Sequence, residues 1–154
     1  MNPIVLSTLE RLLTTLWVGA LWAIGYLAVP ILFAHLDDRM VAGALAGRMF
    51  AALSYGGLMA GGALLVIIAL RAARWRRSRL LMVTLMVLLV AIGEFAIQPV
   101  MADLKSQGLV AGSAQAASFA VWHGVSAVLY LINSLLGLVV VALGNGAEVS
   151  RAAV

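Results

Sequence analysis

Between Leu80 and Gly93 the chain runs for fourteen residues with no charged side chain and one hydroxyl, Thr84, before Glu94 interrupts it. Three other stretches are nearly as apolar and at least as long, centred on residues 8–33, 45–70 and 118–143, with the run itself extending over about 80–98. Segments of about 20 apolar residues are the length that crosses a bilayer as a helix. The composition agrees: 64% of the 154 residues are apolar, only 10% are charged, and the mean hydropathy is +1.10. Soluble domains are about half apolar and about a quarter charged. Hydrocarbon offers the backbone no hydrogen-bond partners, so such stretches must be helical. The expected fold is an all-α, four-helix transmembrane bundle in a single domain.

With no cysteine in the chain, disulfides, thiolate metal sites and cysteine nucleophiles are excluded. The net charge of +4 is not a nucleic-acid signature, because five of the ten basic residues, Arg71, Arg74, Arg76, Arg77 and Arg79, fall in one short connection between spans. Such a loop stays on the cytoplasmic side. Both termini are then expected inside, with Arg11 and Arg151 there and Arg39, Arg48 and Lys105 outside. Contact of Arg71–Arg79 with anionic lipid headgroups follows from the same placement. The N-terminus lacks the basic region of a cleavable leader, so the first apolar run is expected to remain as a span.

Asn2-Pro3 reads as a helix start, and Pro30 as a kink near the end of the first span. Asp37 or Asp38 is placed to cap the second helix, and Ser113 or Ser118 the fourth. Gly43-x-x-x-Gly47 and Gly57-x-x-x-Gly61 form a close-packing face on the second helix, suited either to contacts inside the bundle or to a homo-oligomer seam. Pro99 is expected to end the third span, and Gly144-Asn145-Gly146 the fourth. No internal repeat is convincing.

An ionisable side chain at membrane depth marks a candidate site. Glu94 is expected about 6 Å from the outer end of its helix, on one face with Gln98, four residues on. His123 and Arg48 fall one and two turns into their helices from the same side, and His35 closes the first helix there. The four helices thus bring Arg48, Glu94, Gln98, His123 and His35 toward one outer-leaflet level. Behind His123, the residues Ser126, Tyr130 and Asn133 continue a polar stripe inward. Three readings compete. Glu94 pairs with Arg48 or His123 as interhelical glue. His35, His123 and Glu94 ligate a metal, with copper or haem the candidates. Or the stripe carries a proton or small substrate. No Ser-His-Asp set, phosphate loop or nucleotide fingerprint is present, so an enzymatic role has no support.

Leu16-Trp17-Val18-Gly19, Val29-Pro30-Ile31-Leu32-Phe33, Glu94-Phe95-x-Ile97-x-Pro99-x-Met101 and Phe119-x-x-x-His123-Gly124 resemble a small bacterial membrane family of unknown function. That family is related to the animal transmembrane protein linked to cisplatin resistance. The resemblance covers about residues 13–143 and implies a four-helix membrane protein, and it brings no established enzymatic activity. The layout is also similar to CopD-like copper-resistance proteins, without any residue-by-residue match. The expectation is a non-enzymatic protein of a bacterial inner membrane, handling a small ligand or cation in transport or resistance. A haem- or copper-binding redox module and a structural assembly partner are the alternatives.

Overall fold

The computed structural model describes residues 3–70 and 76–152. Four helices are long and apolar enough to cross a membrane: Ile4–His35, Arg39–Leu70, Arg77–Ser106 and Ala114–Leu143. They form an up-down-up-down bundle in which each span packs on the next and the fourth closes against the first. Spans 1 and 3 are therefore diagonal, as are spans 2 and 4. Pro3, Leu70, Arg76 and Leu143 mark one end, called the basic end here, and the two short connections after spans 1 and 3 mark the far end.

Two of the spans are composite. Span 1 is α1 (Pro3–Ala23), a π turn (Ile24–Ala28) and α2 (Val29–His35). Span 2 is α3 (Arg39–Leu70). Span 3 is α4 (Arg76–Ile92), a second π turn (Gly93–Ile97) and α5 (Gln98–Ser106). Span 4 is α6 (Ala114–Ala152). Each π turn lies just ahead of a proline. A proline ring collides with the carbonyl of the residue four before it, and it has no N–H to offer. For Pro30 and Pro99 those carbonyls belong to Tyr26 and Phe95, inside the two π turns. Widening the turn lets the helix pass through the proline, and the ladder resumes with Val29 N–H bonded to Ile24 O and Gln98 N–H to Gly93 O. Pro99 therefore does not end the third helix, which runs on to Ser106. Likewise α6 continues through Gly144–Gly146 to Ala152.

Asp38 caps α3, its Oδ1 accepting the N–H groups of Met40 (2.7 Å) and Val41 (3.3 Å). Ser113 caps α6 through the Ala116 N–H at 3.1 Å. Between α5 and α6 the chain turns through Gly108 (φ 89°) and Gly112 (φ 80°), the left-handed positions that only glycine takes freely.

The core runs along the bundle axis through Trp17, Val18, Leu21, Leu64, Met86 and Val140. Its packing exposes a duplication. The step of 69 residues that carries Ile24–Ala28 onto Gly93–Ile97 also carries Pro30 onto Pro99 and Glu10 onto Arg79. On the partner helices a step of 76 carries Gly61 onto Gly137 and the fully buried Leu64 onto Val140. The contacts repeat too. Gly61 lies against Val87 and Trp17, and Gly137 against Val18 and Met86, which are the same positions exchanged between halves. The two helical hairpins are thus packed alike about a pseudo-twofold along the bundle axis.

This packing places Gly57-x-x-x-Gly61 inside the bundle under the Trp17 indole, whereas Gly47, Gly56 and Gly62 meet nothing within 4 Å. Where the first half sets Trp17 over Gly57, the second has the slimmer Met86 and the larger Asn133 at the equivalent positions.

Candidate functional site

Two polar centres lie within the bundle. At the basic end, Glu10 of α1 reaches diagonally across the axis to Arg79 of α4, with Oε1 and Nη1 2.5 Å apart and side-chain exposures of only 2% and 12%. Because residues 10 and 79 are equivalent in the two halves, both project toward the pseudo-twofold, and opposite charges there meet. Thr14, one turn above, is also buried and bonds the Glu10 carbonyl at 2.7 Å. Desolvating both partners offsets much of the attraction in such a pair, so its strength shows mainly when one partner is lost. Arg79, which the sequence places among the arginines expected at lipid headgroups, is instead turned inward onto Glu10. The signal available was a carboxylate sharing a helix face with Leu6, Leu13 and Trp17, in a helix whose one other charge is the adjacent Arg11. Of the other loop residues, Arg71, Arg74 and Trp75 lie outside the described residues.

The second centre surrounds the π turns, further toward the far end. At the first turn the Tyr130 hydroxyl of α6 donates to the Leu21 carbonyl at 2.5 Å. That carbonyl would serve the Gly25 N–H in an unbroken α-helix. The phenol lies so close that a Cβ on Gly25 would stand 2.6 Å from its oxygen. Trp22, Tyr26, Phe50 and Tyr130 stack around it, with centroids 4.6 to 6.0 Å apart from ring to ring. Ser134 returns its hydroxyl to the Tyr130 carbonyl at 2.8 Å, and its own carbonyl accepts the Trp22 indole N–H at 3.4 Å. Asn133, beside it and 3% exposed, leaves its side-chain oxygen without a partner among the described residues.

The second π turn carries Glu94. Its side chain is half-buried, and among the described residues it makes no ion pair and no hydrogen bond. Gln98, four residues on, is also half-buried, between the buried Ile97 and Met101. Levels follow from the contacts of Gly61 and Gly137 at 1.5 Å per residue. From the plane of Trp17, Gly61, Val87 and Gly137, Glu94 stands about 10 Å toward the far end, Arg48 and His123 about 20 Å, and His35 about 27 Å. Glu94 is thus about 10 Å deeper than the arginine and histidine expected beside it, because its helix continues beyond Pro99 for two more turns.

Arg48 and His123 are both exposed, on diagonal helices. His123 stacks on Phe119 at 5.9 Å, with the Lys105 ammonium over the same Phe119 ring. His35 is exposed, its Nδ1 3.1 Å from the Ile31 carbonyl one turn back. Among the described residues no three histidine or carboxylate side chains are grouped to hold a metal ion. His35, Glu94 and His123, the ligands in the copper or haem reading, stand at three different levels of the bundle.

No curated protein and no solved structure matches the chain significantly. A family model matches residues 12–110, from the first span to the connection before α6. The chain belongs to the family described as domain of unknown function (DUF4149).

Proposed function

We propose that this is a non-enzymatic multi-pass membrane protein that binds a small cationic ligand at Glu94, in a transport or resistance role. One observation carries the reading: a carboxylate sits half-buried at membrane depth in a π turn, with no charge partner among the described residues. A charge held there without compensation is costly, and such residues face cavities or ligand paths. Wide turns interrupting a helix are enriched at functional sites. The ten basic residues favour the end that carries residues 71–79, which orients that end and both termini to the cytoplasm of a bacterial inner membrane. Glu94 then lies in the outer half. Gln98 shares its face, Asn133 lies deeper with a free acceptor, and Arg48 and His123 stand at the mouth.

Equilibrium binding of small inorganic and organic cations to the purified protein in lipid nanodiscs tests this. The wild type is expected to bind at least one of them, and Glu94→Gln to lose that binding while keeping its helical circular dichroism. Undiminished binding in Glu94→Gln overturns the reading.

A further inference from the structure

The duplication gives Glu94 a partner. Val18 meets Gly137, and seven residues further along each helix Gly25 meets Tyr130. In the other half Val87 meets Gly61. Seven residues further along those helices stand Glu94 and Ser54. Glu94 therefore faces span 2, where Ser54 takes the place that Tyr130 takes in span 4. Ser54 is half-buried, and among the described residues its hydroxyl makes no hydrogen bond, whereas Ser7, Thr8, Thr14 and Ser134 all bond a carbonyl of their own helix. The Val90 carbonyl is the equivalent of the Leu21 carbonyl that Tyr130 satisfies.

We propose that Glu94, Ser54 and the Val90 carbonyl form the binding site for a small, hard monovalent cation of the alkali-metal kind. The proposal rests on the reading of Glu94 as the charged group of a ligand site. The three donors are oxygens, with no imidazole or sulfur among them, which selects hard cations over soft transition metals. They carry a single negative charge, which a monovalent ion neutralises and a divalent ion would over-compensate within hydrocarbon. The Val90 carbonyl, in the last turn of α4 ahead of the π turn, adds a backbone oxygen of the kind that serves cation sites in interrupted membrane helices. The space that a phenol ring occupies at the first π turn is left at the second to a serine, and the ion takes it.

The test uses the full chain in nanodiscs, with Na⁺ as probe titrated against choline at constant ionic strength and binding read by ²³Na relaxation. Tetraphenylphosphonium, which needs charge but no oxygen ligands, is titrated in parallel. Wild type is expected to bind Na⁺, Ser54→Ala to bind it roughly tenfold more weakly, Glu94→Gln not to bind, and Thr84→Ala, on the exposed face of α4, to bind as wild type does. Tetraphenylphosphonium binding that depends on Glu94, with no Na⁺ binding, overturns the proposal and leaves Glu94 as a cation site. Na⁺ binding unaffected by Ser54→Ala overturns the assignment of Ser54. Loss of neither cation in Glu94→Gln overturns both readings.

Discussion

The two halves of this bundle share a backbone and differ in what they place at its widest turns. In the first half, glycine at position 25 admits the Tyr130 ring, and the phenol hydroxyl satisfies the Leu21 carbonyl. That turn is filled and hydrogen-bonded. In the second half the glycine is replaced by Glu94 and the tyrosine by Ser54, and among the described residues neither side chain makes a hydrogen bond. One copy of the hairpin is built as a joint and the other is left as a receptacle. Duplication allows this division, because the filled copy secures the packing that the second copy gives up.

The comparison can be broken at several points. The largest effect is expected where the halves meet. Glu10→Gln or Arg79→Gln leaves one charge buried without its partner and should cost about 3–5 kcal/mol, read as a lowered thermal unfolding midpoint in detergent. The exchanged double variant Glu10→Arg with Arg79→Glu should recover most of that loss, since the two positions are equivalent. A double variant no more stable than either single would argue against the pseudo-twofold. Next, Gly25→Ala drives a methyl into the Tyr130 ring and should cost about 1–3 kcal/mol. At the equivalent site Glu94→Ala should change stability by no more than about 0.5 kcal/mol, as for positions without close packing. Equal losses at the two sites would show that both turns are filled alike. Tyr130→Phe should cost about 0.5–1.5 kcal/mol through the lost hydroxyl bond. Ser54→Ala, the smallest change, should leave the unfolding midpoint unmoved.

The spans and the two acting caps, Asp38 and Ser113, are written in local patterns of hydropathy and short polar side chains, so a sequence shows them directly. Glu94 stands out for the same reason. What is not local was harder to see. Pro99 reads as a helix end because a proline blocks an α-helix, and only the wide turn ahead of it lets the helix continue. That continuation shifted Glu94 away from the level of Arg48 and His123. The repeat is hidden because glycine precedes proline by five residues at Gly25–Pro30 and by six at Gly93–Pro99, and because it pairs residues as unlike as Glu10 with Arg79. Ser54 sits among Tyr55, Gly56 and Gly57, where a lone hydroxyl carries no pattern. Its correspondence to Tyr130 emerges once Gly61–Val87 and Gly137–Val18 set the helix registers.

The parity of the repeat has a bearing on movement. Each copy contains two crossings, so both copies enter the bilayer pointing the same way. Transporters built from oppositely inserted copies can present a central site to either side by letting the copies trade shapes. Here such a trade would return the molecule to the same sidedness, with Glu94 still beyond the Glu10–Arg79 pair as seen from the basic end. Any ion held at the second wide turn exchanges with the far side, and passage to the other requires that the central charge pair itself come apart.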